Sequence, residues 1–337
     1  MKPQYILSRL FQMALVLVGV SILVFVLTRV LPGDPVAAAL GERASAEQIA
    51  QLRTELGLDK PLIQQYFQFV SGLFNGQMGY SLVERRDVAQ VISDRLPATL
   101  ELVFVALAIA VVLGVSLGVL AAVRRDRAAD SISRVVALAG VSFPQFWVGI
   151  MLQLVFGLAL AMLPITNRIS VAEPPRVTGF LIIDSLLAWD MTALGNSITH
   201  LIAPALVLAL GPLATIMRMI RANMIDELGK PYPELAHALG MHPFIINYKY
   251  VLRNAFSSTL TIIGFLVPIL IGSGFVVEKV FSWPGIARFG ADAIMANDFN
   301  GVVGVTMVVC LFVVCVNFLV EILYPILDPR IRLGAAK

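Results

Sequence analysis

Histidine and cysteine are the first side chains to consider for chemistry, because they bind metals and transfer protons near neutral pH. The three histidines, His200, His237 and His242, form no His-x-x-x-His pair or other zinc-binding spacing. The two cysteines, Cys310 and Cys315, are too few for a metal site of their own. No Ser-His-Asp arrangement is recognisable. The sequence therefore predicts no catalytic residue and no metal site.

Nucleotide chemistry and proton coupling have equally little support in the sequence. No GxxxxGK segment followed by Ser or Thr is present, so the chain is not expected to hydrolyse ATP or to bind a cofactor itself. The ionisable residues nearest the apolar runs, Glu101, Glu278, Lys279 and Glu321, lie at the ends of those runs. A carrier driven by protons usually places carboxylates at membrane depth. The pattern argues against such a carrier without excluding it.

Long apolar runs dominate the rest of the chain. Of 337 residues, 58% are hydrophobic and 14% are charged, whereas a soluble domain carries about a quarter charged residues. The net charge is +3, and no basic patch is interleaved with aromatic residues, so nucleic-acid binding is excluded. Six runs are each long enough to cross ~30 Å of hydrocarbon: Leu10–Thr28, Leu100–Val123, Val135–Leu163, His200–Met219, Leu260–Val277 and Val302–Leu323. They predict an all-α polytopic membrane protein with six transmembrane helices.

Basic residues in the connections indicate the orientation of these helices. Lys and Arg are concentrated at 124–134, 218–253 and 330–337, whereas 164–199 carries only Arg168 and Arg176. Cytoplasmic connections are the ones enriched in Lys and Arg. We therefore expect both termini to be cytoplasmic and the lipid bilayer to surround the helices.

The predicted spans divide the chain into three parts. Residues 1–31 hold the N-terminus and the first span, 32–97 form a long extracytoplasmic loop, and 98–337 form the core with the other spans. The loop is expected to hold two short helices that form a structural cap. One occupies 45–57, and the other carries an apolar face from Tyr66 to Phe74.

The longest cytoplasmic connection, residues 229–257, carries the main candidate site, and we call it the elbow. Its residues from Tyr232 to Met241 are interpreted as one short helix, with Pro233 at the first helical position and Gly240 as a left-handed stop. Pro243 can begin a second helix. Two short helices joined at Gly240 would project from the membrane.

The composition of the elbow suits close contact with another protein. Ala236, Ala238 and Gly240 are small and permit close backbone approach. The apolar anchors are Leu235, Leu239, Met241 and Phe244. Glu234 in the first turn can stabilise the helix dipole or pair with a basic residue of a partner. The same residues also suit an ordinary helix lying among lipid headgroups, and these arguments leave both interpretations open.

A resemblance favours the first interpretation. The elbow sequence contains an aromatic residue at Tyr232, then Ala-x-Ala-x-Gly at 236–240 and a hydrophobic residue at Met241. It ends with Leu-Arg-Asn-Ala at 252–255. This order resembles the EAA-type coupling loop of binding-protein-dependent ABC importer permeases, which docks into the ATP-binding subunit. The family usually has basic residues where this chain has His237 and Leu239, so the contact should be less cationic. The resemblance implies ATPase contacts at Tyr232, Glu234, Leu235, Ala236, Ala238, Leu239, Gly240 and Met241.

Further segments are similar to one branch of that family. Residues 31–35, 95–101, 281–285 and 327–332 resemble the dipeptide, oligopeptide and nickel permeases, and residues 168–187 look most like dipeptide permeases. In structural terms, Trp283 within the third of these segments is interpreted as an interfacial anchor.

The resemblance implies a permease subunit of an ATP-driven importer in the bacterial inner membrane, forming the path for di- and oligopeptides. It implies a second homologous permease subunit, two ATPase subunits that bind ATP and magnesium, and an external substrate-binding protein. Alternatives are a permease for nickel or another small solute, and a secondary transporter working alone. Phe143, Pro144 and Gln145 are candidates for the path, because Pro144 can expose backbone carbonyls.

Overall fold

A computed structural model of the chain describes residues 3–30, 47 and 59–327. The similar segment 31–35, the predicted helix at 45–57 (residue 47 apart) and the tail from residue 328 lie outside the described residues. The described chain forms two compact units, Met1–Pro97 with Pro284–Cys315 and Ala98–Trp283 with Val316–Lys337.

Long apolar helices account for most of the predicted spans. Those that contain a predicted span are α1 (Pro3–Val30), α3 (Val88–Val123), α7 (Met191–Leu228), α10 (Leu252–Val280) and α12 (Phe299–Leu327). Shorter helices between them are α2 (Leu62–Phe74), α4 (Ala128–Ser142), α5 (Gln145–Leu152), α6 (Leu181–Leu187), α8 (Pro231–Ala238), α9 (Pro243–Ile245) and α11 (Ile286–Met295). The prediction of an all-α membrane protein is confirmed.

The third predicted span, Val135–Leu163, is not one continuous helix. The chain forms α4, then α5 with a π-helix at Gln153–Ala159, and the two parts are bent by 103°. Phe143 between them is extended, with φ −88° and ψ 136°. Pro144 explains the break, because proline disfavours the helical conformation of the residue before it. Among the described residues, five helices could cross a membrane singly, and a sixth span exists if the bent pair forms one.

Within residues 59–97 of the predicted extracytoplasmic loop, the first unit contains one short helix and two short strands. Helix α2 confirms the predicted helix with its apolar face from Tyr66 to Phe74. A two-stranded antiparallel sheet follows, in which β1 (Tyr80–Ser81) pairs with β2 (Arg86–Asp87). The core of this unit packs Val88, Ile92 and Phe289 together. The apolar contact fixes the first turns of α3 against α11.

Helix α7 lies at the centre of the second unit. In its most apolar stretch 67% of the residues are buried, more than in any of the other four single candidate spans. Gly114 and Gly118 of α3 pack directly on it, and a Cβ atom at Gly118 would lie 2.8 Å from the Ile220 Cβ and 2.9 Å from the Met217 carbonyl oxygen. Only glycine permits such close approach of two helices. Helix α10 packs along α7 as well, and the elbow connects these two helices.

Candidate coupling site

Proline fixes the beginning of the elbow helix α8. Lys230 is extended with φ −84° and ψ 159°, and Pro231 takes the first helical position. Sequence reasoning placed Pro233 there, which is wrong by two residues. Pro231 already has the φ that a helix requires, and the backbone N–H that proline lacks is not needed at the first helical position, so the helix begins earlier. Pro233 lies in the first turn and is buried.

The end of α8 is the left-handed stop that the sequence predicts. Gly240 has φ +79°. Its N–H donates to the His237 carbonyl at 2.9 Å, and the Met241 N–H donates to the Ala236 carbonyl at 3.1 Å. This pair of bonds is the Schellman arrangement, which satisfies the last carbonyls of a helix. A Cβ atom at Gly240 would meet no atom within 4 Å, so glycine is needed here for its backbone conformation and not for space.

The second arm of the elbow begins at Pro243, as predicted. The His242 Nδ1 accepts a hydrogen bond from the Phe244 N–H at 3.3 Å. Helix α9 then continues as a π-helix over Ile246–Val251 and runs directly into α10. Ile246 and Val251 are fully buried, so this arm is anchored in the second unit.

The outer surface of the elbow is apolar. Leu235, Leu239 and Phe244 are 62%, 72% and 61% exposed, and the Phe244 ring stacks on Tyr248 with centroids 4.4 Å apart. Glu234 and Ala238 are also exposed, whereas Ala236 and Met241 are half-buried. Contiguous apolar side chains on a projecting segment are typical of a surface that another protein or a membrane covers.

The inner side of the elbow is polar and tied to its surroundings. The Tyr232 hydroxyl donates to the Glu227 Oε2 at 2.9 Å and accepts from the Asn254 Nδ2 at 3.3 Å. Burial raises the pKa of Tyr232; the bond from Asn254 lowers it, and the Glu227 carboxylate raises it, so that the pKa lies above its ordinary value. The hydroxyl therefore stays protonated and keeps its donor. Lys230 forms an ion pair with the same carboxylate.

Comparison with known proteins identifies the family. Residues 114–333 match the family described as "Binding-protein-dependent transport system inner membrane component". Residues 2–103 match the family described as "Binding-prot-dependent transport system membrane comp, N-term". The chain belongs to this family. It is a multi-pass permease subunit, and the resemblance that the motifs indicated is confirmed.

Three relatives cover nearly the whole permease. It is 37% identical over 334 residues to the dipeptide transport system permease protein DppB of Escherichia coli, covering 98% of each chain. It is 40% identical over 318 residues to the di/tripeptide transport system permease protein DppB of Pseudomonas aeruginosa, covering 93% of this chain and 94% of the relative. It is 34% identical over 329 residues to the dipeptide transport system permease protein DppB of Alkalihalophilus pseudofirmus, covering 97% and 99%.

The candidate path residues of this permease lie at the break between α4 and α5. Phe143 and Pro144 are exposed, and Gln145 begins α5. The Phe143 ring stacks on Trp147, with centroids 5.0 Å apart and planes at 20°. The structure brings these residues together at a bend, and their place in a path stays a prediction.

A buried ion pair holds the insert 168–187, and sequence reasoning missed it. The Arg168 Nε and Nη2 donate to the Glu101 Oε2 at 3.0 and 2.6 Å, and the Ile182 N–H donates to the Glu101 Oε1 at 2.9 Å. Arg168 also donates to the Gly179 carbonyl at 2.9 Å. Arg168, one of two arginines in a poorly basic connection, was a signal, but its partner lies 67 residues away.

Trp283 corrects one prediction. Its side chain is fully buried, and its Nε1 donates to the Ala98 carbonyl at 2.9 Å. The interpretation as an interfacial anchor is therefore wrong, because an indole that is buried needs a partner for its N–H and finds one here inside the second unit. Close by in sequence, the Glu278 Oε1 accepts a bond from the Thr99 hydroxyl at 2.6 Å. Within the described residues, no three His, Cys, Asp or Glu side chains are grouped as a metal site requires.

Proposed function

We propose that this permease imports dipeptides and short oligopeptides. The observation that carries the proposal is the near-complete match to relatives named as dipeptide permeases, at 34–40% identity over more than nine tenths of both chains. Nickel transport and independent secondary transport have no comparable support. The uptake experiment described below distinguishes both alternatives from dipeptide import.

The permease would work within a larger complex. A second homologous permease subunit would complete the path, and an external binding protein would deliver the peptide. Two ATPase subunits would bind ATP and magnesium, so that this chain needs no cofactor and performs no bond chemistry. The family description supports the binding protein. The exposed apolar surface around Leu235, Leu239 and Phe244 supports ATPase docking at the elbow.

The elbow would transmit ATP binding to the membrane helices. Closure of the two ATPases would move α8, and the connected helices α7 and α10 would tilt with it. The path would then change from inward-facing to outward-facing, with peptide binding favouring one of the two states. We place Phe143, Pro144 and Gln145 along this path because the break at Pro144 interrupts a membrane segment.

Uptake of labelled dipeptide tests the substrate. Cells that lack the gene for this chain should lose uptake of radiolabelled alanyl-alanine and regain it when the gene is restored. Nickel uptake should be unaffected. Normal dipeptide uptake with loss of nickel uptake would assign the permease to nickel instead. Dipeptide uptake by the purified chain alone, with no ATPase subunit present, would support the secondary transporter.

The orientation can be tested separately. We propose that both termini are cytoplasmic, because Lys and Arg are concentrated in the connections on the same side as the termini. A reporter fused after Lys337 and a reporter inserted within 164–199 should lie on opposite sides of the membrane. Two reporters on the same side would disprove the six-span topology.

A further inference from the structure

One phenolic oxygen connects three successive elements around the elbow. Glu227 belongs to the last turn of α7, Tyr232 to the first turn of α8, and Asn254 to the first turn of α10. The Tyr232 oxygen donates to the carboxylate at 2.9 Å and accepts from the amide at 3.3 Å. A single side chain thus binds both long helices that the elbow connects.

A second contact between the same helices lies further along α10. The Asn223 Nδ2 of α7 donates to the Ala255 carbonyl at 3.2 Å and to the Thr259 Oγ1 at 3.3 Å. The two helices therefore already hold each other where the elbow begins. Tyr232 adds α8 to that connection, and the buried Pro233 beside it holds the same turn.

The two ends of α8 differ in their contacts: the first turn is bonded to neighbouring helices, and the other end is exposed. Its first turn carries Tyr232 and Pro233, whereas Leu235 and Leu239 toward its end are exposed and available to a partner. A force applied by the partner at the exposed end would turn α8 about its first turn. Without the hydrogen bonds of the Tyr232 hydroxyl, α8 would be held less firmly at that turn and could move while α7 and α10 stayed in place.

We infer that Tyr232 is a positioning residue for coupling, whose hydroxyl clamps α8 to α7 and α10 so that the three helices move together. The inference rests on the proposed function of the elbow. It assigns the Tyr232 hydroxyl a role distinct from the ATPase contact that the resemblance implies for this residue, because the hydroxyl bonds to this permease's own helices and not to the exposed apolar surface. Removing the hydroxyl should leave ATPase binding intact and weaken the transfer of movement.

The test measures the number of dipeptides imported for each ATP hydrolysed. The complete complex with its ATPase subunits and binding protein is reconstituted in proteoliposomes, and uptake of radiolabelled alanyl-alanine and ATP hydrolysis are measured on the same vesicles. Tyr232→Phe should recover the wild-type amount of ATPase but import about tenfold fewer dipeptides per ATP, because it loses a hydrogen bond to a charged group and a second one from Asn254.

Tyr250→Phe is the matched control. It removes the same atom from a tyrosine of the π-helix in the same elbow, and in the described part of the chain the Tyr250 hydroxyl makes no hydrogen bond. The control should keep the wild-type ratio of dipeptide to ATP. Asn254→Ala should lower the ratio as well, and the double variant with Tyr232→Phe should be little worse than Tyr232→Phe alone, since both changes break one unit.

Three results would overturn the clamp. They are a wild-type ratio in Tyr232→Phe, fully additive defects in the double variant, and loss of ATPase recovery in Tyr232→Phe, which would make the residue part of the docking surface. Failure of the proposed function would look different. In that case the unmodified complex would recover no ATPase or import no dipeptide, before any variant is compared.

Discussion

Asp130 and Arg221 form a two-bonded ion pair between α4 and α7. The Arg221 Nε lies 2.7 Å from the Asp130 Oδ1, and its Nη2 lies 2.8 Å from the Oδ2. Arg134, one turn further along α4, lies 3.4 Å from the same carboxylate, whose side chain is fully buried. The basic connection after α3 and the basic end of α7 therefore meet at one acidic group.

Replacing Asp130 tests how much this pair stabilises the second unit. Asp130→Ala leaves the Arg221 guanidinium, which is 22% exposed, without its main partner. Breaking a buried pair by removing one partner costs about 3 kcal/mol or more, and partial solvation of Arg221 places the expected loss at the lower end. The measurement is the thermal unfolding midpoint of the permease in mild detergent, together with its abundance in the membrane.

Arg125→Ala is the control for this pair. Arg125 and Asp126 form an ion pair in the same connection, but their side chains are 60% and 78% exposed. Exposed pairs contribute little, so this variant should unfold close to the wild-type midpoint. Equal midpoints for Asp130→Ala and Arg125→Ala would contradict a stabilising role for the buried pair.

Gly118 provides a second prediction, on the packing of α3 against α7. Gly118→Ala places a Cβ atom 2.9 Å from the Met217 carbonyl oxygen, which belongs to the backbone and cannot rotate away. Overpacking of this kind costs roughly 1–3 kcal/mol, so the unfolding midpoint and the membrane abundance should both fall. Gly272→Ala makes the same substitution in α10, where the added atom meets nothing within 4 Å, and should be tolerated. A wild-type midpoint for Gly118→Ala would show that the two helices can separate without cost.

Asp184 gives a prediction about pH. Burial raises the pKa of this carboxyl, but hydrogen bonds from the Thr178 N–H and hydroxyl and from the Gly179 N–H outweigh burial, and the pKa lies below its ordinary value. A lowered pKa means that the stabilisation is present above the ordinary carboxyl pKa, about 4, and is lost as the pH falls through the lowered value. Asp184→Asn should lack this stabilisation at every pH, because asparagine carries no carboxylate.

Hydrogen exchange at Thr178 and Gly179 measures this effect. After correction for the intrinsic pH dependence of exchange, the wild-type amides should stay protected from pH 7 down to about pH 4 and lose protection below it. In Asp184→Asn, exchange should be roughly tenfold faster at pH 7. Glu173→Gln, a change at an exposed residue of the same insert, should leave exchange unchanged. The prediction fails if Asp184→Asn and Glu173→Gln protect these amides equally.

The elbow carries the fourth prediction. Gly240→Val forces a β-branched residue to φ +79°, at a cost of roughly 1 kcal/mol or more, whereas Gly240→Asn should be tolerated because asparagine adopts this conformation more readily. Ala238→Trp fits the exposed end of α8 in the single chain but should hold a partner away, and Ala238→Ser is its control. We expect normal membrane abundance, weak ATPase recovery and lost dipeptide uptake in Gly240→Val and Ala238→Trp.

The opposite result for the two elbow variants would contradict docking at α8. Full ATPase recovery and full uptake in both Gly240→Val and Ala238→Trp would show that α8 is an ordinary helix among lipid headgroups. Loss of membrane abundance would place the defect in folding. Membrane abundance is therefore measured first, and recovery and uptake are expressed relative to it.

The sequence by itself determined the features that depend on local chemistry. Apolar runs of about 20 residues predict membrane helices, because a backbone in hydrocarbon must satisfy its own hydrogen bonds. Gly240 predicts a left-handed helix stop because other residues avoid positive φ, and Pro243 predicts a helix start because its φ is fixed. The order of short motifs was also sufficient to identify the family.

The tertiary structure alone decided which polar groups meet. Arg168 pairs with Glu101, 67 residues away in sequence, and Arg221 pairs with Asp130, 91 residues away. The indole of Trp283 donates to a carbonyl 185 residues away. Residue types show that each group needs a partner, but the partner depends on how helices pack, and packing is a property of many weak contacts made at once. For the same reason, the sequence could mark Tyr232 as an aromatic residue of the elbow, while only the folded chain places its hydroxyl between Glu227 and Asn254.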